Sequence, residues 1–322
     1  MGRTTMKLAK TLLASVVIAG GMGGVALAQD DTVTIGVSVP AATHGWTGGV
    51  NYFAQQAIDR LSETYPNVEF VFASSPDSPK QIADIEDMVS TRGIDALVIL
   101  PGDPDAMTSA IKQVKDAGKF VTVVDRQLSI EGVENLYVAG DNPGLGANAA
   151  EYIKQALPDG GNIVILRGLP IPIDQQRFDA FMGSVEGSNI TVLGDEFANW
   201  NRDDGFRVMQ DFLTRYPEID AVWTQDDDIS LGAIEAIRQA GREDEMFVVG
   251  GAGMQQILQA VAAGDALTPV DVSYSPAMIA TAIELTTSHF TGGIQVAGRY
   301  ILDSTLITQD NVEGFLDAES PF

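Results

Sequence analysis

Cysteine is absent from this 322-residue chain, and histidine occurs only as His44 and His289. The lack of cysteine excludes disulfides and thiolate chemistry, and two histidines leave little for a zinc site or for histidine-based catalysis. Basic residues are scarce as well, with 19 lysines and arginines against 44 aspartates and glutamates and a net charge of −25. Such a charge repels nucleic acid and anionic membranes, so we expect no nucleic-acid partner.

Long apolar runs are also missing, and none approaches the ~20 residues that span a membrane. The longest, residues 11–25, follows a basic start and is broken by glycines. Ala26-Leu27-Ala28 then matches the small-x-small cleavage rule, so residues 1–28 are predicted to be a signal peptide cleaved after Ala28. An exported, cysteine-free chain of this size suits a bacterial periplasm, and we expect no membrane insertion.

Strand and helix patterns alternate along the rest of the chain. A first series of strands is predicted over Val33–Val39, Val68–Ala73, Ala96–Leu100, Phe120–Val124 and Leu136–Ala139, with helical patterns between them. A second series of similar size follows from Asn142, with a helix over Gln175–Val185 and a last strand over Arg299–Ile307. The alternation predicts an α/β fold of two Rossmann-like, doubly wound lobes with a cleft between them.

An acid beside a base follows the fourth strand, as Asp125 and Arg126. The run Phe120–Val124 predicts a strand buried on both faces of a parallel sheet. The pair then lies at the carboxyl end of the strand, where open α/β sheets bind ligands. Carboxylate acceptors and guanidinium donors could grip neighbouring hydroxyls of a sugar or polyol, and a structural ion pair is the alternative.

Other strand-end loops carry aromatic and hydrogen-bonding side chains. Aromatic faces pack on the C–H surfaces of sugars, while carboxylates and amides bond their hydroxyls. We expect Trp46 and Trp200 to come from opposite lobes and to enclose a ligand. The candidate ligand-binding residues are His44, Trp46, Asp125, Arg126, Gln175, Trp200, Asp226 and Tyr274.

An acidic run and two glycine-rich turns have to be weighed as sites for calcium, catalysis or a nucleotide. The run Asp226-Asp227-Asp228 lacks the spacing of a calcium loop and has no second acid motif for catalysis. We therefore expect Asp226 to point inward and Asp227 and Asp228 to form a solvated turn. Neither glycine-rich turn, 45–49 or 250–253, matches the G-x-G-x-x-G pattern, so no nucleotide or other cofactor is expected.

Several short pieces of sequence, each weak alone, form a recognisable set together. They are Val124-Asp125-Arg126-Gln127, Gly140-Asp141-Asn142, Ala198-Asn199-Trp200-Asn201-Arg202, Val208-Met209-Gln210, and Thr224-Gln225-Asp226-Asp227 followed by Leu231-Gly232-Ala233. With them the chain resembles the periplasmic sugar-binding proteins of ABC importers, of the ribose-binding type (the type I periplasmic binding proteins), from about residue 33 to 307. The resemblance implies two lobes joined by three crossings, residues 29–140 plus 275–303 and residues 141–274 plus 304–322.

The resemblance also implies roles for the candidate residues. Asp125 and Arg126 match the hydroxyl clamp of the first lobe, and Trp200 matches the stacking aromatic of the second. In two places the chain departs from the ribose binders: Gln175 stands where they carry an arginine, and Ala252 where they carry an aspartate. We therefore expect a ligand other than ribose, namely another pentose, a sugar alcohol or a short-chain polyol.

The predicted function is that of a monomeric, non-enzymatic receptor that closes on a sugar or polyol and delivers it to an ABC permease. One alternative is a protein of the same fold that presents its ligand to a chemoreceptor or sensor kinase. Another is a secreted glycosidase that uses Asp125 and Asp226 as its carboxylate pair.

Overall fold

A computed structural model describes residues 1–2, 32–320 and 322 of the chain. The predicted signal peptide and its cleavage site lie outside these described residues.

The first lobe is built on a parallel sheet. Its strands are β1 (Val33–Pro40), β2 (Val68–Ser75), β3 (Ala96–Ile99), β4 (Phe120–Val124), β5 (Leu136–Gly140) and β11 (Gly298–Leu302). Their order across the sheet is β11-β5-β4-β3-β1-β2, with every neighbouring pair parallel. The helices of this lobe are α1 (Gly45–Thr64), α2 (Ser78–Ser90), α3 (Pro104–Asp116) and α9 (Met278–Thr291).

The second lobe repeats this plan. Its strands are β6 (Gly161–Arg167), β7 (Ile190–Phe197), β8 (Ala221–Thr224), β9 (Phe247–Val249), β10 (Val270–Val272) and β12 (Leu306–Thr308), in the order β12-β10-β9-β8-β6-β7. Only β12 runs antiparallel to its neighbour among these described strands. The helices are α4 (Asn142–Ala156), α5 (Pro172–Val185), α6 (Arg202–Arg215), α7 (Asp227–Ala240) and α8 (Gln255–Ala263), and a 3₁₀ turn covers Val312–Gly314.

The chain passes between the two sheets after β5, after β10 and after β11. This arrangement confirms the predicted class of two doubly wound α/β lobes with three crossings, while the exact lobe boundaries stay a prediction. The last predicted strand, Arg299–Ile307, was wrong as one element: it divides into β11 and β12, which belong to different sheets. None of the described helices is long and apolar enough to cross a membrane.

Strand β4 is buried on both faces, as its sequence predicts. Phe120 and Val124 pack into the apolar cluster on one side of the sheet, and Val121 and Val123 into the cluster on the other. This alternation follows from the period of two residues in a strand. Because both faces are covered, the strand is fixed in place and sets the position of the residues that follow it.

Acidic and amide side chains begin several of the helices that start next to the cleft. Asp103, Asp141, Asn201 and Asp226 each accept hydrogen bonds from backbone N–H groups of the first helical turn. These N-caps pair backbone donors that have no partner inside the helix. Part of the acidic excess is therefore structural, and it holds the loops at the carboxyl ends of the strands.

Candidate functional site

A cavity with a volume of about 310 Å³ lies between the two lobes, at the carboxyl ends of their strands. It is lined by His44, Trp46, Asp125, Arg126, Ile173, Arg177, Trp200, Asp226, Ala252 and Tyr274. The structure thus brings together all the predicted site residues except Gln175.

The first-lobe side of the cavity is held by Asp125 and Arg126. Asp125 has a left-handed backbone, with φ 63°, and its Oδ1 accepts a hydrogen bond of 2.5 Å from the Tyr274 hydroxyl. The Nε of Arg126 lies 3.7 Å from Asp125 Oδ2, and its Nη1 donates to the carbonyl of Gly102 at 2.5 Å. Burial and the negative charge of Asp125 raise the pKa of Tyr274 well above its usual value, so the tyrosine stays a proton donor.

His44 adds a neutral polar group to the same side. Burial, followed by the charge of Arg126, lowers the pKa of His44 to about 4, so its imidazole carries no charge at neutral pH. Its Nδ1 is buried without a hydrogen-bond partner among the described residues, 3.8 Å from Asp228 Oδ2.

The two indoles are held by different means. Trp46 donates from its Nε1 to the carbonyl of Tyr274 at 2.9 Å, and the two rings lie 6.1 Å apart. Trp200 comes from the second lobe, and the guanidinium of Arg126 lies 5.8 Å from the centre of its ring. The Nε1 of Trp200 is buried and has no partner within the described part of the chain.

Asp226 points into the cavity, as expected, while its two neighbours do not form a solvated turn. Its Oδ1 caps helix α7 by accepting from the N–H of Asp228 at 2.9 Å. Burial, then repulsion from Asp228, raises the pKa of Asp226 to about 8, so its protonated form prevails at neutral pH. The expectation for Asp227 and Asp228 was wrong: Asp227 is fully buried, and Asp228 is partly buried against the first lobe.

Gln175 does not line the cavity, and its place is taken by Arg177. Helix α5 begins at Pro172, and its buried face includes Ile173 and Arg177, one turn apart. Gln175 points away from that face, where its Oε1 accepts from Arg167 at 2.9 Å. An arginine therefore does line the cavity, two residues after Gln175.

Arg177 is fixed by neighbours on three sides. Its Nε donates to Asn142 Oδ1 and its Nη1 to the carbonyl of Gln225, both at 2.8 Å. Its guanidinium lies 4.3 Å from the centre of the Tyr274 ring. Neither Arg177 nor Ile173 is among the candidate residues taken from the sequence, although their spacing of four residues on a helix was a signal that could have found them.

The two lobes also touch each other directly beside the cavity. The backbone N–H of Gly45 donates to Asp228 Oδ2 at 2.7 Å. A Cβ atom at Gly45 would lie 2.5 Å from Met254 Cε and 2.9 Å from Asp228 Oδ2, so a side chain at residue 45 would force both of these second-lobe side chains to shift. The structure is thus a closed form of the two-lobed protein.

Two α/β lobes that close on a cavity at their strand ends define a type I periplasmic binding protein. The chain belongs to the periplasmic binding protein family, because the family model described as "Periplasmic binding protein domain" matches residues 35–293. The resemblance stated from the sequence is confirmed.

The relatives are named for sugars and polyols. The chain is 29% identical over 306 residues to the ribose import binding protein RbsB of Escherichia coli K12, with 94% of this chain and 99% of that protein covered. It is 27% identical over 302 residues to the xylitol-binding protein of Mycolicibacterium smegmatis, with 89% of this chain and 80% of that protein covered. The structure also matches a solved ABC transporter solute binding protein from Bacillus halodurans C-125 with bound myo-inositol. The TM-score is 0.80 and the identity 26%, with 92% of this chain and 100% of that chain covered.

Proposed function

We propose that the protein is a periplasmic receptor that encloses one small sugar or polyol between its lobes and delivers it to the permease of an ABC importer. The observation that carries this proposal is the meeting of Asp125 and Arg126 from one lobe with Trp200, Asp226 and the newly found Arg177 from the other around one small cavity. Hydroxyl groups both donate and accept hydrogen bonds, so a polyhydroxylated ligand can pair with this mixture of groups.

Unpaired polar atoms add support. His44 Nδ1, Arg126 Nε and Trp200 Nε1 are buried without partners among the described residues. A buried donor or acceptor without a partner costs about 1–3 kcal/mol, and a ligand hydroxyl that pairs with it recovers part of that cost. All three atoms belong to residues that line the cavity, and this supports a ligand with several hydroxyls over an apolar one of equal size.

The ligand is proposed to be a pentose other than ribose, a sugar alcohol or a short-chain polyol. Ala252 lines the cavity with a methyl group, where the resemblance places an aspartate in ribose binders. Two indoles and Ile173 take up further space. Loss of one acceptor and a small volume both favour a compact ligand, and two of the relatives described above are named for or hold a polyol.

A thermal-shift panel followed by calorimetry tests this proposal. Protein stripped of bound ligand by unfolding and refolding is screened against ribose, other pentoses, pentitols, tetritols, glycerol and myo-inositol. We expect a pentose other than ribose or a polyol to raise the Tm most and to bind with one site per chain. Tight binding of ribose with no response to pentitols or tetritols would reject the ligand class, and no response to any sugar or polyol would reject the function.

Export and the monomeric state are parts of the same proposal. Removal of residues 1–28 leaves a mature chain that begins at Gln29. Mass spectrometry of the protein from a periplasmic extract, and light scattering of the same sample, test the cleavage site and the monomer. We also propose that the ligand is bound without turnover, and release of aryl alcohol from aryl glycosides would contradict this.

A further inference from the structure

Two carboxylic acids, Asp227 and Asp271, lie together inside the second lobe, and both side chains are fully buried. Their carboxyl groups adjoin each other, since Asp227 Oδ2 and Asp271 Oδ2 both accept from the N–H of Gly253 at 3.0 Å. Every other hydrogen bond that they accept comes from a backbone N–H of the described chain rather than from a basic side chain. Buried acids without a cation are expensive, so this pair calls for a functional explanation.

The pair holds the loop between β9 and α8. Asp227 accepts from the N–H groups of Gly251 and Gly253, both at 3.0 Å, and of Met254 at 2.7 Å. Asp271 accepts from the same Gly253 N–H at 3.0 Å. The remaining N–H of the loop, that of Ala252, donates to the carbonyl of Val272 at 2.8 Å. All the backbone donors from residue 251 to 254 are therefore used.

The two buried carboxyl groups share one N–H donor and accept only from backbone N–H groups, so we infer that one of them carries a proton. Two ionised carboxylates at this distance would repel each other in a site that water does not reach. Burial is the largest cause that raises the pKa of Asp271 to about 7, and burial with repulsion from Asp271 raises the pKa of Asp227 well above its usual value. The pair titrates as a unit, so the shared proton belongs to neither residue alone.

The loop that the pair holds forms part of the ligand cavity and of the closed lobe contact. Ala252 lines the cavity with φ 123°, a conformation that a residue with a side chain keeps only when its surroundings enforce it. The carbonyl of Ala252 accepts from the N–H of Tyr274 at 3.1 Å, and Tyr274 in turn bonds Asp125. Met254, at the end of the loop, reaches Gly45 of the first lobe.

We propose that Asp271 is a positioning residue for ligand binding: the proton that it shares with Asp227 holds the 251–254 loop in its binding conformation, and loss of that proton weakens the site. The binding part of this inference rests on the function proposed above. The nearest other charged group is Asp226, whose negative charge raises the pKa of Asp227. The pKa of Asp226 is in turn raised by Asp228 and lowered by Arg177. Since Asp226 also titrates and lines the cavity, the test has to separate the two carboxyl systems.

The variant Asp271→Asn separates the titration of the Asp227–Asp271 pair from that of Asp226, and its thermal stability can be measured without a ligand. Its oxygen can accept from Gly253 as before and its amide N–H can donate to Asp227, while the bond that Asp271 Oδ1 accepts from the N–H of Val272 is lost at every pH. The folded wild type keeps a proton that the unfolded chain gives up near pH ~4, so its stability falls as pH rises from about 4 towards the raised pKa. We expect the Tm of Asp271→Asn, relative to wild type, to increase between about pH 5 and about pH 8 and then to level off.

Asp220→Asn is the matched control, because Asp220 also accepts from a backbone N–H, that of Asn162 at 2.6 Å, in the same lobe. Its Tm should follow the pH profile of the wild type. If the Tm of the wild type and the Tm of Asp271→Asn change with pH in the same way, the two aspartates do not share a proton. Should Asp271→Asn fail to fold, infrared spectra decide: a protonated-carboxyl C=O band at pH ~6 that is present in Asp226→Asn and lost in Asp226→Asn/Asp227→Asn supports the pair, and a band that is absent or unchanged rejects it.

Ligand affinity tests the positioning role itself. With a ligand found by the panel, we expect the Kd of the wild type to rise at least about tenfold between about pH 6 and about pH 8.5, the change that one pKa unit represents. Asp271→Asn should show a smaller rise, because an amide N–H that cannot be lost replaces the shared proton. Equal rises in both proteins would overturn the positioning role. A panel without hits would reject the proposed function, while the ligand-free Tm profiles would still decide whether the proton is shared.

Discussion

Backbone conformation at single residues fixes the cavity before any ligand arrives. In the described part of the chain, the residues other than glycine with a positive φ are Asp125, Asn199, Trp200 and Ala252, at 63°, 55°, 52° and 123°. Three of them line the cavity, and Asn199 adjoins Trp200. Such conformations are uncommon for residues with a side chain and persist where neighbours enforce them. The Asp125 N–H, for example, donates to the carbonyl of Val138 at 2.8 Å.

Arg177 and Gln175 make the sharpest comparison at the scale of the residue. Arg177→Gln removes a charged donor from the cavity wall and leaves Asn142 and the Gln225 carbonyl short of a partner. Hydrogen bonds to a charged group contribute about 1.5–3 kcal/mol, so we expect ligand affinity to fall by about tenfold to a hundredfold or more. Gln175→Ala should change affinity less than about twofold, because its side chain bonds outside the cavity.

Calorimetry with the ligand from the panel measures both variants, and circular dichroism checks that each is folded. Loss of affinity in Gln175→Ala with none in Arg177→Gln would restore the assignment made from sequence and reject the one made from structure.

The sequence predicted most of the cavity because strand-end position is easy to read. Asp125 and Arg126 end a strongly apolar run, and the parallel fold brings such ends to one edge. Arg177 was missed because the residues before it, Pro170-Ile171-Pro172, hide where helix α5 begins, and a helix with an unknown start has an unknown buried face. The burial of Asp227 was missed because backbone N–H groups pair with it, and these do not show in a sequence.

At the scale of the element, the start of helix α7 gives three adjacent acids three different tasks. Asp226 caps the helix and faces the cavity, Asp227 binds the 251–254 loop, and Asp228 accepts a hydrogen bond from the first lobe. Successive residues of a helix project about 100° apart, since 3.6 residues make one turn. One short run of a single residue type can therefore serve a ligand, a loop and the other lobe at once.

The variant Asp228→Asn tests the contact between the lobes. It keeps the shape of the side chain but replaces the charged acceptor of the Gly45 N–H, so we expect the closed form to lose about 1 kcal/mol and ligand affinity to fall about fivefold. Asp203→Asn is a suitable control, because Asp203 lies in the first turn of helix α6 and is exposed. Small-angle X-ray scattering of the ligand-free proteins should show a larger radius of gyration for Asp228→Asn. Equal radii and equal affinities would contradict the role of this contact.

The division of the last predicted strand also belongs to this scale. The break at residues 303–305 is set by contacts with distant residues: Ser304 donates to the carbonyl of Asp141, and its own carbonyl accepts from Asn148. A local pattern of apolar residues cannot show that the chain changes sheet at this point. The type of element was predictable here, while its partner strand was not.

At the scale of the whole molecule, the cavity is shared between the lobes, so a ligand should stabilise both together. A ligand that binds only the folded form at 100 times its Kd adds about 2.7 kcal/mol to the free energy of unfolding. We expect scanning calorimetry to show one transition that moves to higher temperature with ligand concentration. Two transitions, of which the ligand moves only one, would show that it binds a single lobe.

The contact between Gly45 and Asp228 finally bears on the speed of capture. The cavity lies between the lobes, so we expect capture by the closed form to wait until that hydrogen bond breaks and the lobes part. Once solute is abundant, further solute cannot accelerate capture, and the observed association rate levels off at the rate of opening. We therefore expect the frequency of opening, and not only the tightness of binding, to set how fast this protein takes up its ligand.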